Sequence, residues 1–243
     1  MSKALLLIDR GSKEEDVKKE MSELCLMISA EGYYSQVKYC FLEVTPPYIK
    51  DGIQSCSADE LIIMPYFLYP GLKLKSAILE SERIAKELSI KYRVIDCLHY
   101  HPLLPKIINK RVEEAKSING IGLSNKECDL LLVGHGSSDI DARLAFEQIY
   151  EEVRDDYRNA SYAFLELDKP NISDGMHDLL SKEPEILIIM PYFLHHGTHI
   201  KYDVIKEVRD ASKDARCKVI MTEHIGLTRE MVKIIMDKTR GII

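Results

Sequence analysis

The sequence has no long apolar run. The stretch 61–68 is strongly hydrophobic but short, and it already contains a proline; a membrane helix needs roughly 20 such residues. Residues 4–8 are too few for a secretory hydrophobic region, and acidic residues follow at once. A cytoplasmic protein with no membrane partner is expected. There is no basic stripe either. The 243-residue chain carries a net charge of −6, which argues against nucleic acid as a partner. A local cleft can still differ in sign from the whole and take an anionic small ligand. No C-x-x-C pair occurs among Cys25, Cys40, Cys56, Cys97, Cys128 and Cys217. Most lie in apolar segments, so buried reduced thiols are expected rather than a disulfide framework or a thiolate metal site. A P-loop and a G-x-S-x-G elbow are both missing.

What the sequence has is an internal repeat. Leu61-Ile62-Ile63-Met64-Pro65-Tyr66-Phe67-Leu68 recurs unchanged as Leu187-Ile188-Ile189-Met190-Pro191-Tyr192-Phe193-Leu194. Phe41-Leu42-Glu43, with Pro47, Ile49, Asp51 and Gly52, matches Phe164-Leu165-Glu166, with Pro170, Ile172, Asp174 and Gly175. Leu6-Leu7-Ile8-Asp9-Arg10-Gly11-Ser12 matches Leu131-Leu132-Val133-Gly134-His135-Gly136-Ser137. The shift is half the chain each time, which makes this a duplicated domain and not a short-period solenoid. The halves are placed at 1–122 and 123–243, where Ser, Asn and Gly cluster around the join.

Each half alternates strand and helix. Strands are expected at 4–9 and 129–134, ending in Phe41-Leu42-Glu43 and Phe164-Leu165-Glu166, over each octamer, and at 92–97 and 217–222. Helices are expected at 13–30 and 139–157, from near Pro47 and Pro170, at 74–88 and 200–211, and at 103–116 and 229–238. Proline suits a first helical turn, and the unbroken octamers suit strands buried on both faces. The expected fold class is α/β, with two pseudo-symmetric domains, each a four-stranded parallel sheet flanked by helices. Tyr66-Phe67 and Tyr192-Phe193, common to both halves, read as core packing.

Ligands of parallel α/β sheets bind beyond the carboxyl ends of the strands, and there the halves differ. The second half has His135, Glu166 and His195-His196-Gly197-Thr198-His199; the first has Arg10, Glu43 and Tyr69-Pro70-Gly71-Leu72-Lys73. His135 and His199 leave different strand ends, beside glycines that clear space for a ligand. Imidazole suits borderline divalent metals and accepts protons near neutral pH. Glu166 adds an oxygen ligand or an orienting partner, although its counterpart Glu43 leaves a purely structural role open. Backbone N–H groups at Gly136 and Ser137 can hold a carboxylate or phosphate, unless Ser138 simply caps the helix. His196 joins these as a substrate-binding candidate.

At these residues the sequence resembles the sirohydrochlorin chelatases. The matching features are His135-Gly136-Ser137 after a strand, Phe164-Leu165-Glu166 with Pro170, and Pro191, Phe193-Leu194, Gly197 and His199. Leu98-His99-Tyr100-His101-Pro102-Leu103 is similar to the family's loop after the fourth strand. The resemblance covers nearly the whole chain. It implies a long two-domain chelatase, with its active site in a cleft between pseudo-symmetric halves and its histidines in the second. By position, the family's metal-binding and catalytic histidines fall on His135 and His199, with Glu166 beside them. The implied activity is insertion of Co²⁺ or Fe²⁺, with Ni²⁺ as a further alternative, into sirohydrochlorin, with no organic cofactor, by a monomer or homodimer. That substrate is a polycarboxylate, so Arg10 and Lys73 are expected to bind it. A non-catalytic metal or tetrapyrrole carrier and a structural Zn²⁺ protein are the competing readings. The latter needs a closed four-ligand site.

Overall fold

The computed structural model describes residues 1–197 and 199–242, and of residues 199–201 the backbone alone. The first repeat runs β1 (Lys3–Asp9), α1 (Glu15–Ala30), β2 (Gln36–Phe41), α2 (Ile49–Ser55), β3 (Glu60–Pro65), α3 (Leu72–Glu87), β4 (Tyr92–Val94) and α4 (Leu104–Ile118). The second runs β5 (Asp129–Gly134), α5 (Ile140–Val153), β6 (Asn159–Phe164), α6 (Ile172–Leu180), β7 (Ile186–Pro191), a π-helical turn (His199–Val204) that continues as α7 (Ile205–Ala211), β8 (Lys218–Met221) and α8 (Arg229–Arg240). The sheets have the order β2-β1-β3-β4 and β6-β5-β7-β8. Every pairing is parallel.

The central strands are the most apolar because both faces are covered. Leu5, Leu6, Leu7 and Ile8 of β1 and Leu130, Leu131, Leu132 and Val133 of β5 are fully buried. Tyr66 and Tyr192, just beyond β3 and β7, are buried as well, in keeping with a packing role. On α1, Val17, Met21, Leu24, Cys25 and Ile28 face inward at helical spacing. Among the described residues no helix is long and apolar enough to cross a membrane.

By contacts the chain forms two compact units, Met1–His101 with Leu227–Ile243, and Pro102–Gly226. The repeats expected at 1–122 and 123–243 therefore differ from the packing units by one helix each. In the first unit α8 packs on α1. There the Tyr34 hydroxyl donates to Thr239 Oγ1 (2.6 Å) and Arg93 donates to the Thr239 carbonyl (2.7 Å). In the second unit α4 holds the loop after β8. Its Arg111 donates to the carbonyls of His224 (2.8 Å) and Gly226 (3.0 Å).

Pro47 and Pro170 do not open helices. α2 and α6 begin two residues later, N-capped at Tyr48 and Asn171. The proline carbonyls instead accept the N–H groups of Phe41 and Phe164, both at 2.8 Å, and so tie off the ends of β2 and β6.

The register of β5 on β6 is locked from the amino end. Asp129 is fully buried. Its carboxylate accepts Arg158 Nε at 2.7 Å and Nη2 at 2.8 Å, and also the backbone N–H of Asn159 at 3.2 Å. This pairs Asp129 with Asn159 and, at the far end, Gly134 with Phe164, which brings the residues after those strands side by side. Arg158→Met leaves a buried carboxylate short of its main partner and should cost about 3 kcal/mol. A fall in the urea midpoint measures it; an unchanged midpoint would show that the clamp is not holding the register.

Candidate functional site

Neighbouring strands β5 and β7 send their connections in opposite directions, β5 to β6 and β7 to β8. The crevice beyond their carboxyl ends is a topological switch point, where ligands of such sheets bind. His135 leaves β5 there, and the segment from Tyr192 leaves β7. The Tyr192 N–H donates to the Val133 carbonyl at 2.8 Å, continuing the ladder past the strands. The Phe193 ring meets the half-buried His135 ring edge-on, with centroids 6.4 Å apart. His135 Nδ1 lies 3.1 Å from the Gly136 carbonyl. A carbonyl can only accept, so this contact selects the Nδ1–H tautomer and makes Nε2 the lone-pair nitrogen.

The loop after β6 is stitched to the His135 loop by its backbone. Leu165 N–H donates to the Gly134 carbonyl and Glu166 N–H to the His135 carbonyl, both at 2.9 Å. Gly136 has φ +87°, and a Cβ there would lie 1.8 Å from the Glu166 carbonyl oxygen. Its glycine thus admits the neighbouring backbone, not a ligand. Ser137 is committed too. Its N–H donates to Asp168 at 3.0 Å, and Arg143 backs the same carboxylate at 3.4 Å. The Ser137 hydroxyl accepts from Asp139 N–H at 3.0 Å. The cap of α5 is Asp139, which accepts from Asp141 N–H at 3.1 Å, and Ser138 does not take that place. The anion expected at this turn is a carboxylate of the protein itself.

The Glu166 side chain is exposed, beside a hollow of about 230 Å³ that is also lined by Leu165, Asp203, Lys206 and Glu207. A second hollow of about 450 Å³ adjoins the other side of Glu166, lined by Arg143, Leu167, Asp168, Lys169 and Asn171. Burial, and then the neighbouring Asp203, raise the Glu207 carboxyl above its usual range, while Lys206 opposes the shift.

Two other expected residues follow β7 in the chain. The His199 backbone opens the π-helical turn, a distortion common at functional sites; its side chain lies outside the described residues. His196 turns toward the loop after β8. Its Nδ1 is 3.9 Å from Glu223, and its ring is 6.2 Å from that of buried His224. Glu223 carries no signal in the sequence; Phe193, read there as core packing, packs against the core and also meets the His135 ring. The neighbourhood of a strand end is readable, but the ring contact at Phe193 is not.

In the first unit the matching positions carry charge in place of imidazole. Arg10 Nε is 3.1 Å from one oxygen of Glu43 and Lys73 Nζ is 2.6 Å from the other. Hydrogen bonding from Lys73, and then from Arg10, holds the Glu43 carboxyl below its ordinary range against the opposing effect of desolvation. Two cations share one partly exposed carboxylate, so the group keeps net positive charge.

The CbiX family model matches residues 4–115 and 129–241, once per repeat. Among curated proteins, the sirohydrochlorin ferrochelatase of Priestia megaterium is 25% identical over 119 residues, covering 48% of this chain and 44% of that protein. The sirohydrochlorin cobaltochelatase of the same organism is 26% identical over 116 residues, covering 46% and 38%. The match therefore spans less than half the length of either relative. The solved structure of SirB from Bacillus subtilis with Fe³⁺ superposes at a TM-score of 0.84, covering 99% of this chain and 95% of that one at 21% identity. The shared property at that identity is the fold.

If the backbone approach at Gly136 positions His135, then Gly136→Ala must force the two loops apart, and a left-handed alanine adds strain. A loss of about 2 kcal/mol or more is expected. The same should hold for Gly11→Ala, where φ is +99° and the Glu43 carbonyl would lie 2.1 Å from the new Cβ. Urea unfolding of both variants measures this; wild-type midpoints would refute the contact's importance.

Proposed function

This chain belongs to the CbiX family, and on that footing we propose that it is a sirohydrochlorin chelatase, inserting Co²⁺ or Fe²⁺, or Ni²⁺, into the ring for sirohaem or cobalamin synthesis. The observation that carries the reading is His135. It stands half-buried at the switch point of β5 and β7, with Nε2 as its lone-pair nitrogen and Glu166 pinned to its backbone. The half-chain relatives carry both ferrochelatase and cobaltochelatase names. Imidazole and carboxylate bind all three ions, so the donor set does not choose among them. We place the reaction in the cytoplasm, where the six free thiols stay reduced.

Insertion requires the macrocycle to give up two N–H protons and the ion to give up its waters. His135, with His199 as its proposed partner, holds the incoming ion loosely; a saturated ligand set would retain it. His135 Nε2 then accepts one pyrrole proton and Glu166 takes the second, while the ion exchanges its protein ligands and waters for ring nitrogens. The carboxylates of Glu166, Asp203 and Glu207 draw the cation toward this hollow. The ring's own carboxylates need the opposite charge. Arg10 and Lys73 supply it in this reading, releasing or sharing Glu43 as a substrate carboxylate arrives.

Insertion is followed by the change in macrocycle absorbance. His135→Ala should lower the rate by about 10²-fold or more; an undiminished rate would remove the proposal. In a single-turnover mix, tight binding without acceleration would instead identify a carrier. Arg10→Ala should raise KM roughly fivefold, about 1 kcal/mol of binding for a partly exposed ion pair, with kcat nearly unchanged. An unchanged KM would discard that role.

A further inference from the structure

The loop after β4 is fixed by two backbone bonds, Ile95 N–H to the Ile63 carbonyl and Leu98 N–H to the Phe67 carbonyl, both at 2.8 Å. Between and just beyond these anchors stand Asp96, Cys97 and His99. Among the described residues this is where three side chains able to ligate a metal converge, their ligand atoms all within 4.8 Å of one another. Cys97 Sγ lies 2.7 Å from His99 Nδ1. The Asp96 carboxylate folds back to accept the Cys97 N–H at 2.7 Å. The thiol is fully buried, the imidazole half-buried and the carboxylate exposed, so the group is open on one side.

We propose that Asp96, Cys97 and His99 form a second metal site, in the first unit, for a borderline divalent transition ion such as Co²⁺, Ni²⁺ or Zn²⁺. Bonding distances are about 2.3 Å to sulfur and 2.0–2.2 Å to nitrogen and oxygen. With separations no longer than 4.8 Å, an ion among the donors is within about an ångström of bonding each. Thiolate with imidazole and one carboxylate is a borderline-soft set, unsuited to Mg²⁺ or Ca²⁺. Binding replaces the thiol S–H bond with an S–metal bond and releases that proton to solvent. Three protein ligands leave a fourth position for water. Lys238 on α8 interacts electrostatically with Asp96 and Cys97; its positive charge opposes the ion and keeps the site exchangeable rather than closed.

The repeat supports a recurrent location. The β8 loop is anchored by the equivalent bonds, Thr222 N–H to the Ile189 carbonyl at 2.9 Å and Ile225 N–H to the Phe193 carbonyl at 3.1 Å. It places Glu223 and His224 where the first unit has Asp96 and Cys97, with His196 at 3.9 Å from Glu223. That group is looser and has no sulfur. The same loop position thus gathers metal-ligating side chains twice, and the thiolate belongs to the first unit.

The sulfur makes the test independent of chelation. Full-length protein, reduced with a phosphine, is titrated with Co²⁺ alone. A thiolate-to-cobalt charge-transfer band should grow to one equivalent; His135 and Glu166 cannot produce it. Cys97→Ser should abolish the band, and His99→Ala should weaken cobalt binding at least tenfold. Cys56→Ser and His135→Ala should leave the band intact. No band in the wild type, or a band that survives Cys97→Ser, would overturn the proposal, whatever the insertion assay gives.

Discussion

The carbonyl oxygen of Glu166 sits where a side chain on Gly136 would begin, and the chemistry of the second unit depends on that close approach. It lets the β5 and β6 ladder continue for two residues past the strands, so that His135 and Glu166 emerge side by side. The chains then turn apart through positive φ at Gly136 and Leu167. The first unit repeats it atom for atom with Gly11, Glu43 and Val44. A contact made by backbone is indifferent to the side chains it presents. The same position therefore carries imidazole in one repeat and guanidinium in the other without rebuilding the fold.

That freedom allows the copies to diverge in charge. Around Glu166 the added neighbours Asp203 and Glu207 make the hollow anionic, with one lysine, Lys206, at its wall. Around Glu43 the added neighbours are Arg10 and Lys73. One carboxylate, inherited by both repeats, ends in a cation-attracting setting in one and an anion-attracting setting in the other. The proposed reaction, which joins a dication to a polyanion, needs both kinds of surface.

The sheets, the duplication and the strand ends bearing His135, Glu166, Arg10 and Lys73 were legible because they are written locally, in unbroken apolar runs and an identical octamer. The partnership of α4 and α8 was not. An amphipathic helix shows which face is apolar but not which sheet will cover it, and its anchors are tertiary bonds from Arg111 and to Thr239. The Gly136-Ser137 turn was read as an anion site since exposed N–H groups and a glycine look alike in any such loop. The occupant, Asp168, lies 31 residues away from Ser137. The Asp96, Cys97 and His99 group has no paired-cysteine signature, because its spacing is set by the bonds that bend the loop, not by sequence alone.

The distribution of buried charge separates scaffold from site. At the amino ends of β5 and β6, Asp129 is sealed and its oxygens are met by Arg158 and Asn159. A carboxylate so satisfied cannot leave its partners cheaply and therefore fixes geometry. At the carboxyl ends, His135 is half-buried and Glu166 exposed, where the proposed reaction needs them open to an incoming ion. Rigidity below and incomplete coordination above are complementary: an ion is passed on only by ligands that hold it weakly, and weak ligands stay in place only when the backbone beneath them is fixed by something stronger.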